Sequence, residues 1–219
     1  MKDSHKGETG LIVANGPSLE TVPTELFEKY PTMGMNRIYK PINGYQLWPD
    51  YYCLMGYDQM DTPEKREPYN DIISRAKIAF VNRTFADKWE GNIVGISSHG
   101  IDGSYQGKVF SLDITKRIAL GFSNAYPCMQ IMYWLGFTTV LLVGLDNDYG
   151  ADPDKRHYFP DTLEESCEPI HGRERTSEGS NYVFHLARQA YEADWRRLIQ
   201  LTKTDKTPAL ERGRLEDWL

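Results

Sequence analysis

An apolar segment suited to a β-strand breaks abruptly into a polar turn near the start of the sequence. The segment Gly10–Ala14 is followed by the run Asn15-Gly16-Pro17-Ser18-Leu19. Glycine lets a ligand approach the backbone or takes a positive φ, proline can open a helix, and Asn and Ser supply polar groups. At the carboxyl end of a strand in an α/β sheet, such a turn lies where nucleotides bind. The same residue types also form plain connecting turns, so local chemistry leaves ligand binding and simple connection open.

The turn lacks the two common phosphate-binding fingerprints. No G-x-G-x-x-G follows the strand, and no Gly-Lys-Ser/Thr ends the turn. The sequence therefore disfavours a P-loop kinase and an ordinary dehydrogenase.

Composition indicates a single domain over 1–219. The 219 residues are 40% apolar, and no Pro/Gly/Ser-rich linker divides them. Acidic residues exceed basic ones, 31 against 25, so nucleic acid is not an expected partner. No apolar run approaches the roughly 20 residues that cross a bilayer, and three separated cysteines fit no disulfide framework. We expect a soluble, cytoplasmic protein without a transmembrane segment.

Polar side chains follow several predicted strands, which favours a parallel α/β sheet. The segment 32–39 has an extended pattern, and Asn36 is a polar residue at the end of the strand predicted there. Asp58 follows a predicted strand at 50–55. Ser123 or Asn124 is predicted to cap a helix that runs through 134. The apolar run Thr139–Val143 is typical of a buried parallel strand. We predict a single Rossmann-like α/β domain, with a mainly parallel sheet flanked by helices.

The last third of the sequence is predicted to hold a long loop, a helix and a tail. Residues from about 147 to 180 are polar and lack apolar periodicity, and loops of this length are usually functional or disordered. An apolar stripe then predicts a helix over 181–201. The charged residues 202–219 are predicted to form a surface tail or a terminal helix.

The run Asp146-Asn147-Asp148 directly follows the predicted buried strand. Such a carboxylate pair can hold Mg²⁺ or Mn²⁺ against a diphosphate, as in a metal-dependent glycosyltransferase. Short acidic turns are also common on solvated surfaces, so a structural role is the simpler interpretation.

His185 is the candidate general base. Ser177, Ser180 and Asn181 predict a helix cap just before it, which would place its ring in the first turn of a helix. A helix N-terminus disfavours the imidazolium form, so a neutral ring could accept a proton. A partly buried helix histidine bonded to a backbone carbonyl is the alternative.

Separated segments of the sequence resemble, in the same order, the bacterial CMP-sialic acid-dependent sialyltransferases that decorate lipooligosaccharide. The turn at 15–19 is similar to that family's nucleotide-binding turn, and Asn36 to its asparagine after the second strand. Ser123-Asn124 falls where the family has two small polar residues that contact the donor sugar. The run 135–146 matches a helix end, a strand and a Gly-x-Asp exit. Tyr158 falls on a phosphate-contacting tyrosine, and Asn181-Tyr182-Val183-Phe184-His185 matches the segment that ends in the catalytic histidine.

The resemblance implies an inverting glycosyltransferase that moves sialic acid, or a similar sugar, from a CMP-sugar donor to a glycan acceptor. His185 would deprotonate the acceptor hydroxyl, while Tyr158 and Tyr149 would stabilise the leaving phosphate. The nucleotide and the donor sugar would be held by Asn15, Gly16, Pro17, Ser18, Asn36, Asp58, Ser123, Asn124, Gly144 and Asp146. No metal would be required, and a homo-oligomer is compatible with this prediction.

A looser resemblance reaches the related family that includes archaeal hydroxymethylpterin diphosphokinases. That family also has the Asn-Gly-Pro-Ser turn and a Gly-x-Asp strand exit. The resemblance would make Asp146 and Asp148 ligands for the Mg²⁺ or Mn²⁺ of bound ATP. A nucleotide-binding module without catalysis is the third alternative, and the sequence leaves all three open.

Overall fold

The computed structural model describes residues 1–99, 110–148, 156–160 and 170–219, with the backbone alone for 170–176. Among them, an eight-stranded sheet runs in the order β10-β9-β8-β1-β2-β3-β4-β5, and every adjacent pair is parallel. Its strands are β1 (Thr9–Val13), β2 (Thr32–Met35), β3 (Tyr51–Leu54), β4 (Ile78–Asn82), β5 (Ile93–Ile96), β8 (Thr139–Val143), β9 (Arg197–Gln200) and β10 (Glu211–Arg212). Strands β6 (Ser98–His99) and β7 (Ile118–Ala119) form a separate parallel pair. The predicted α/β fold is confirmed.

Helices cover both faces of the sheet. They are α1 (Glu25–Lys29), α2 (Pro63–Arg66), α3 (Asn70–Arg75), α4 (Ala125–Leu135) and α5 (Ile170–Ala193), with short 3-10 helices at Pro17–Thr21, Tyr57–Gln59, Glu67–Tyr69, Arg83–Lys88 and Leu215–Asp217. No helix in the described ranges has the length and the apolar character that a membrane span requires.

Alternation along β1 builds the two layers of the core. Ile12 packs in the cluster that includes residues of α4 and α5, whereas Leu11 and Val13 pack with residues of α1 and α3. Successive side chains of a strand point to opposite faces, so a strand buried on both faces must be apolar throughout. That requirement explains why β1 and β8 read as continuous apolar runs.

The order in which the chain adds strands to the sheet reverses at β1. From β1 the chain proceeds outward through β2, β3, β4 and β5, and it then returns to place β8 on the other side of β1. Ligands of open α/β sheets bind outside the carboxyl ends of the strands at such a switch point. The exits of β1 and β8 therefore mark the place to look for a site.

The sequence prediction for the α4–β8 unit is confirmed. Helix α4 ends at Leu135, and Gly136 closes it in the left-handed conformation with a φ of 99°. Strand β8 has the predicted bounds. An apolar helix, the glycine that ends it and a continuous apolar strand can each be predicted from the local sequence alone.

The prediction for the C-terminal third needs correction. Helix α5 begins at Ile170, inside the loop predicted over about 147–180, and it ends at Ala193. Residues 197–200, predicted as helix, form β9, and β10 lies within the predicted tail. The first turns of α5 are rich in Arg and Glu, which favour a helix without an apolar stripe. Trp195 falls inside the helix predicted over 181–201, but it is 95% exposed and lies beyond the end of α5.

Candidate functional site

The polar turn after β1 packs directly against the exit of β8. The Gly16 amide donates to the Gly144 carbonyl at 2.7 Å, and Pro17 opens a short 3-10 helix. A Cβ on residue 16 would lie 1.9 Å from Asp146 Oδ2 and 2.7 Å from the Gly144 oxygen. Gly16 has a φ of −73°, so close approach and not backbone conformation requires glycine here. The turn and the Gly-x-Asp exit form one unit at the switch point.

Asp146 ties that unit together. Its Oδ2 accepts hydrogen bonds from Ser18 Oγ at 2.7 Å and from the Ser18 amide at 3.3 Å. Burial raises the pKa of Asp146 above its ordinary value, the hydrogen bonds from Ser18 oppose the rise, and the nearby Asp148 adds to it. One carboxylate oxygen is therefore committed to the protein.

Protonation of Asp146 stabilises the folded protein, and we expect this contribution to the free energy of unfolding to fall as the pH rises through the folded-state pKa of Asp146. Because the folded protein raises that pKa above 3.8, the folded state binds this proton more tightly than the unfolded chain does. The stabilisation is therefore complete below the unfolded pKa and is lost above the folded one. Thermal melts from about pH 3 to 7 should show Asp146→Asn gaining on the wild type as the pH rises. Parallel profiles for the two proteins would contradict this assignment.

Asn15 joins the exits of β1 and β2. Its side chain is 8% exposed; Nδ2 donates to the Met35 carbonyl at 3.2 Å, and Oδ1 accepts from the Arg37 amide at 3.0 Å. Its own carbonyl accepts from the Tyr158 amide at 3.1 Å. Both the nitrogen and the oxygen of the Asn15 side-chain amide are therefore hydrogen-bonded within the protein.

Asn36 and Asn124 meet across the edge of the sheet. Asn36 follows β2 with a φ of 48°, a left-handed conformation that asparagine tolerates better than most residues. Asn124 Nδ2 donates to Asn36 Oδ1, and the Tyr52 hydroxyl donates to the Asn36 carbonyl. Ser123 Oγ accepts from the Ala125 amide at 3.3 Å at the start of α4. The structure therefore brings Asn124 against Asn36, whereas Ser123 bonds to the start of α4, and contact of these residues with a donor stays a prediction.

Tyr158 lies at this edge, with its hydroxyl directed at the protein. The hydroxyl is 2.7 Å from the Lys40 carbonyl and 3.4 Å from the Arg37 carbonyl, and burial raises its pKa. A tyrosine has one donor hydrogen, so stabilising a leaving phosphate would require it to leave these carbonyls. The other predicted phosphate ligand, Tyr149, lies outside the described residues.

Asp58 lies at the same edge but at its periphery. It is exposed in the 3-10 helix Tyr57–Gln59, which follows β3. Strand β3 is separated from β1 by β2. No described hydrogen bond joins Asp58 to the turn after β1.

His185 is not at the start of its helix, which corrects the premise of the predicted base. Helix α5 begins about four turns earlier, and a helix dipole acts only within its first and last turns. The His185 side chain is exposed, while Val183, Ala187 and Tyr191 form the buried face of α5. His185 makes no hydrogen bond with a described residue. Its role as a base stays a prediction.

The loop after β9 supports the exit of β8, and it was not predicted from the sequence. Thr204 Oγ1 donates to the Asp146 carbonyl at 3.0 Å, and Asn147 Nδ2 donates to the carbonyls of Lys206 and Ser177. Asn147 has a φ of 53° and is 7% exposed, and its buried Oδ1 has no partner among the described residues. Because β9 was predicted as helix, its loop could not be placed beside β8. A prediction of residues 197–200 as a strand would have placed this loop beside β8.

The acidic pair is not assembled into a cluster of ligands. Asp148 is exposed, and Asp146 is committed in part to Ser18. In the part of the chain that the structure describes, no three His, Cys, Asp or Glu side chains lie together as a metal site would need. Whether Mg²⁺ or Mn²⁺ binds with a nucleotide stays a prediction.

Parallel strands, with a polar turn at the switch point, define a Rossmann-like α/β protein of the class whose ligands bind at the carboxyl edge. Residues 1–152, more than half of the chain, match the model of one family. The chain belongs to the 6-hydroxymethylpterin diphosphokinase MptE-like family. No curated protein matches its sequence.

A solved structure shares the fold at low identity. It is the sialyltransferase CstII from Campylobacter jejuni in complex with a substrate analogue, cytidine-5'-monophosphate. The TM-score is 0.53 at 13% identity, and the match covers 96% of this chain and 86% of that one. At this identity the likeness concerns the fold alone.

Proposed function

We propose that the protein is a nucleotide-dependent glycosyltransferase that binds a CMP-sugar at the carboxyl edge of its sheet. The observation that carries the proposal is the unit at the switch point, where the turn at 15–18 packs on Gly144 and Asp146. Asn36 and Asn124 bring two further amides to the same edge. Convergent polar groups at a switch point are typical of nucleotide sites in such sheets.

We propose a CMP-sugar as the donor because the sialyltransferase that shares the fold was solved with cytidine-5'-monophosphate. In the proposed reaction an acceptor hydroxyl attacks the anomeric carbon and loses its proton to a base. The bond from that carbon to the phosphate breaks with inversion, and CMP leaves. Asn36, Ser123 and Asn124 are the proposed contacts to nucleotide and donor sugar.

An ATP-dependent pterin diphosphokinase is the second candidate, because the family match favours it. Asp146 and Asp148 would then hold a divalent cation against the phosphates of ATP. Asp146 would use the oxygen that does not accept from Ser18. This candidate requires metal, whereas displacement of a single phosphate as CMP does not.

A nucleotide panel distinguishes the candidates. CMP, CDP, UDP, GDP and ATP, each with and without Mg²⁺, are added in thermal-shift assays. We expect CMP to raise the melting temperature with and without metal, because a ligand that binds only the folded state stabilises it. A shift confined to ATP with Mg²⁺ would favour the diphosphokinase. The absence of any shift at millimolar nucleotide would contradict both.

The base is tested by His185→Ala, with the exposed Gln189 of the same helix as a matched control. If His185 is the base, CMP release from a CMP-sugar should fall by about 10²–10⁴-fold while CMP binding persists. Gln189→Ala should keep wild-type rates. Unchanged turnover in His185→Ala would remove this histidine from the mechanism, and no turnover in the wild type with any acceptor would favour a binding module.

A further inference from the structure

An exposed phenylalanine lies directly on a glycine of helix α5. A Cβ at Gly179 would fall 2.4 Å from two ring atoms of Phe122, so the ring rests against the backbone of the helix. Glycine is a much poorer helix former than alanine, so this seat weakens α5. Phe122 is nevertheless 46% exposed, and its ring adds little to the core. The chain thus accepts a weaker helix at the point where Phe122 stays open to solvent.

A second exposed aromatic ring lies one turn further along α5. Tyr182 is 55% exposed and follows Gly179 by three residues, a spacing that makes side chains neighbours on a helix surface. Burial raises the pKa of Tyr126, in the first turn of α4, and the nearby Tyr182 adds to the rise. Tyr182 therefore lies on the side of α5 that faces the start of α4. We call Phe122 and Tyr182 the aromatic platform.

The aromatic platform joins the two halves of the proposed active site. Asn124 lies two residues after Phe122 and donates to Asn36 at the carboxyl edge of the sheet. His185 lies three residues after Tyr182 on the same helix and is exposed as well. In the proposed reaction the base takes its proton from the acceptor, not from the leaving nucleotide. The acceptor is therefore the substrate that lies beside Tyr182.

The size and surroundings of the platform suit a sugar. Aromatic side chains bury about 150–250 Å² each, so two half-exposed rings leave roughly 200 Å² open. A stable protein interface takes about 800 Å² from each partner, so this area fits a small ligand better than a protein. Glu178 and His185 are exposed one turn to either side of Tyr182. The C–H face of a sugar ring can pack on aromatic carbon while its hydroxyls bond to such polar neighbours.

Given the glycosyltransferase proposed above, on which this assignment rests, we propose that Phe122 and Tyr182 bind the acceptor glycan. One face of an acceptor sugar lies on Tyr182, which directs a hydroxyl to His185. Phe122 extends the contact toward the donor. The Glu178 carboxylate accepts hydrogen bonds from further hydroxyls of the same sugar. Both rings position the acceptor and carry no proton in the reaction.

Saturation-transfer-difference NMR on the full chain tests the platform with two neutral disaccharides, methyl β-lactoside and methyl β-cellobioside, with and without CMP. We expect the wild type to transfer saturation to the ring C–H protons of at least one disaccharide. Affinity should fall about tenfold or more in Phe122→Ala and in Tyr182→Ala, as for the loss of one stacked ring. Gly179→Ala should also lose affinity although both rings remain, because its Cβ displaces Phe122 while alanine favours the helix.

Tyr57→Ala is the matched control. Tyr57 is 60% exposed after β3 at the same edge, and its ring packs against Phe85 in the 3-10 helix after β4. We expect this variant to bind disaccharide as the wild type does. No saturation transfer from the wild type at millimolar disaccharide would overturn the assignment, as would unchanged affinity in Phe122→Ala and Tyr182→Ala. A CMP melting shift that is lost in these two variants would also overturn it, because the rings would then serve the nucleotide.

The two measurements separate the acceptor site from the proposed function. If CMP raises the melting temperature and no disaccharide binds, the platform is not an acceptor site, and the nucleotide site stands. If disaccharide binds through Phe122 and Tyr182 but CMP gives no melting shift, the platform is a sugar site, and the CMP-dependent transferase is wrong.

Discussion

Replacing Gly16 with alanine is expected to abolish nucleotide binding and to lower the melting temperature by about 6–12 °C. The added Cβ would meet Asp146 Oδ2 at 1.9 Å and the Gly144 oxygen at 2.7 Å. The Gly144 oxygen is backbone and already accepts from the Gly16 amide, so it cannot withdraw without opening the junction of β1 and β8. Asp146 would have to give up Ser18. Overpacking and the lost charged hydrogen bonds together cost about 3 kcal/mol.

Gly56→Ala is the control for that variant. Gly56 also precedes a short 3-10 helix at a strand exit, and its φ of −65° resembles that of Gly16. A Cβ there meets only the ends of Asp58 and Gln59, at 3.1 Å or more. We expect a change below about 1 kcal/mol by chemical denaturation. If Gly16→Ala unfolds like Gly56→Ala and still binds nucleotide, the junction is not the close-packed unit described above.

Removal of the Asn15 side-chain amide is expected to destabilise the protein strongly. Asn15→Ala leaves the Met35 carbonyl and the Arg37 amide without their partner in a buried place. Each unsatisfied group costs about 1–3 kcal/mol, so we expect the free energy of unfolding to fall by about 2–4 kcal/mol. Urea denaturation measures this loss. Nucleotide affinity should fall with it, because the exits of β1 and β2 are no longer joined.

Asn15→Asp separates the donor from the acceptor. The aspartate can still accept from the Arg37 amide, but when ionised it sets an oxygen against the Met35 carbonyl. Burial favours the protonated acid, which can donate to that carbonyl, so the deficit relative to wild type should shrink as the pH falls. Asn92→Ala is the control: the exposed Asn92 side chain donates to the Lys77 carbonyl, and loss of this bond should cost below about 1 kcal/mol. A deficit independent of pH would show that the donor is unimportant.

Local signals predicted the centre of the sheet and the placement of the turn. An apolar run followed by Asn15-Gly16-Pro17-Ser18 predicts a strand exit, and the Gly136 stop before β8 predicts a helix followed by a buried strand. Once those strands are parallel neighbours, their exits must share one edge. For that reason the proximity of Gly16, Gly144 and Asp146 follows from the pattern.

The functions of individual side chains were less predictable because they depend on distant partners. Asn15 and Tyr158 both suit a ligand by chemistry, yet each is bonded to the segment after β2. The position of His185 depended on where α5 begins, and polar residues rich in Arg and Glu gave no apolar stripe to mark that start. Strand β9 is short and follows the helix closely, so the helical spacing of apolar residues in the sequence continued through it.

A crystal structure of the protein with CMP would show where the nucleotide binds. We expect CMP at the carboxyl edge of the sheet, with polar contacts to the turn at 15–18 or to the Asn36–Asn124 pair. CMP bound at the amino edge of the sheet, or no CMP at saturating concentration, would contradict this expectation.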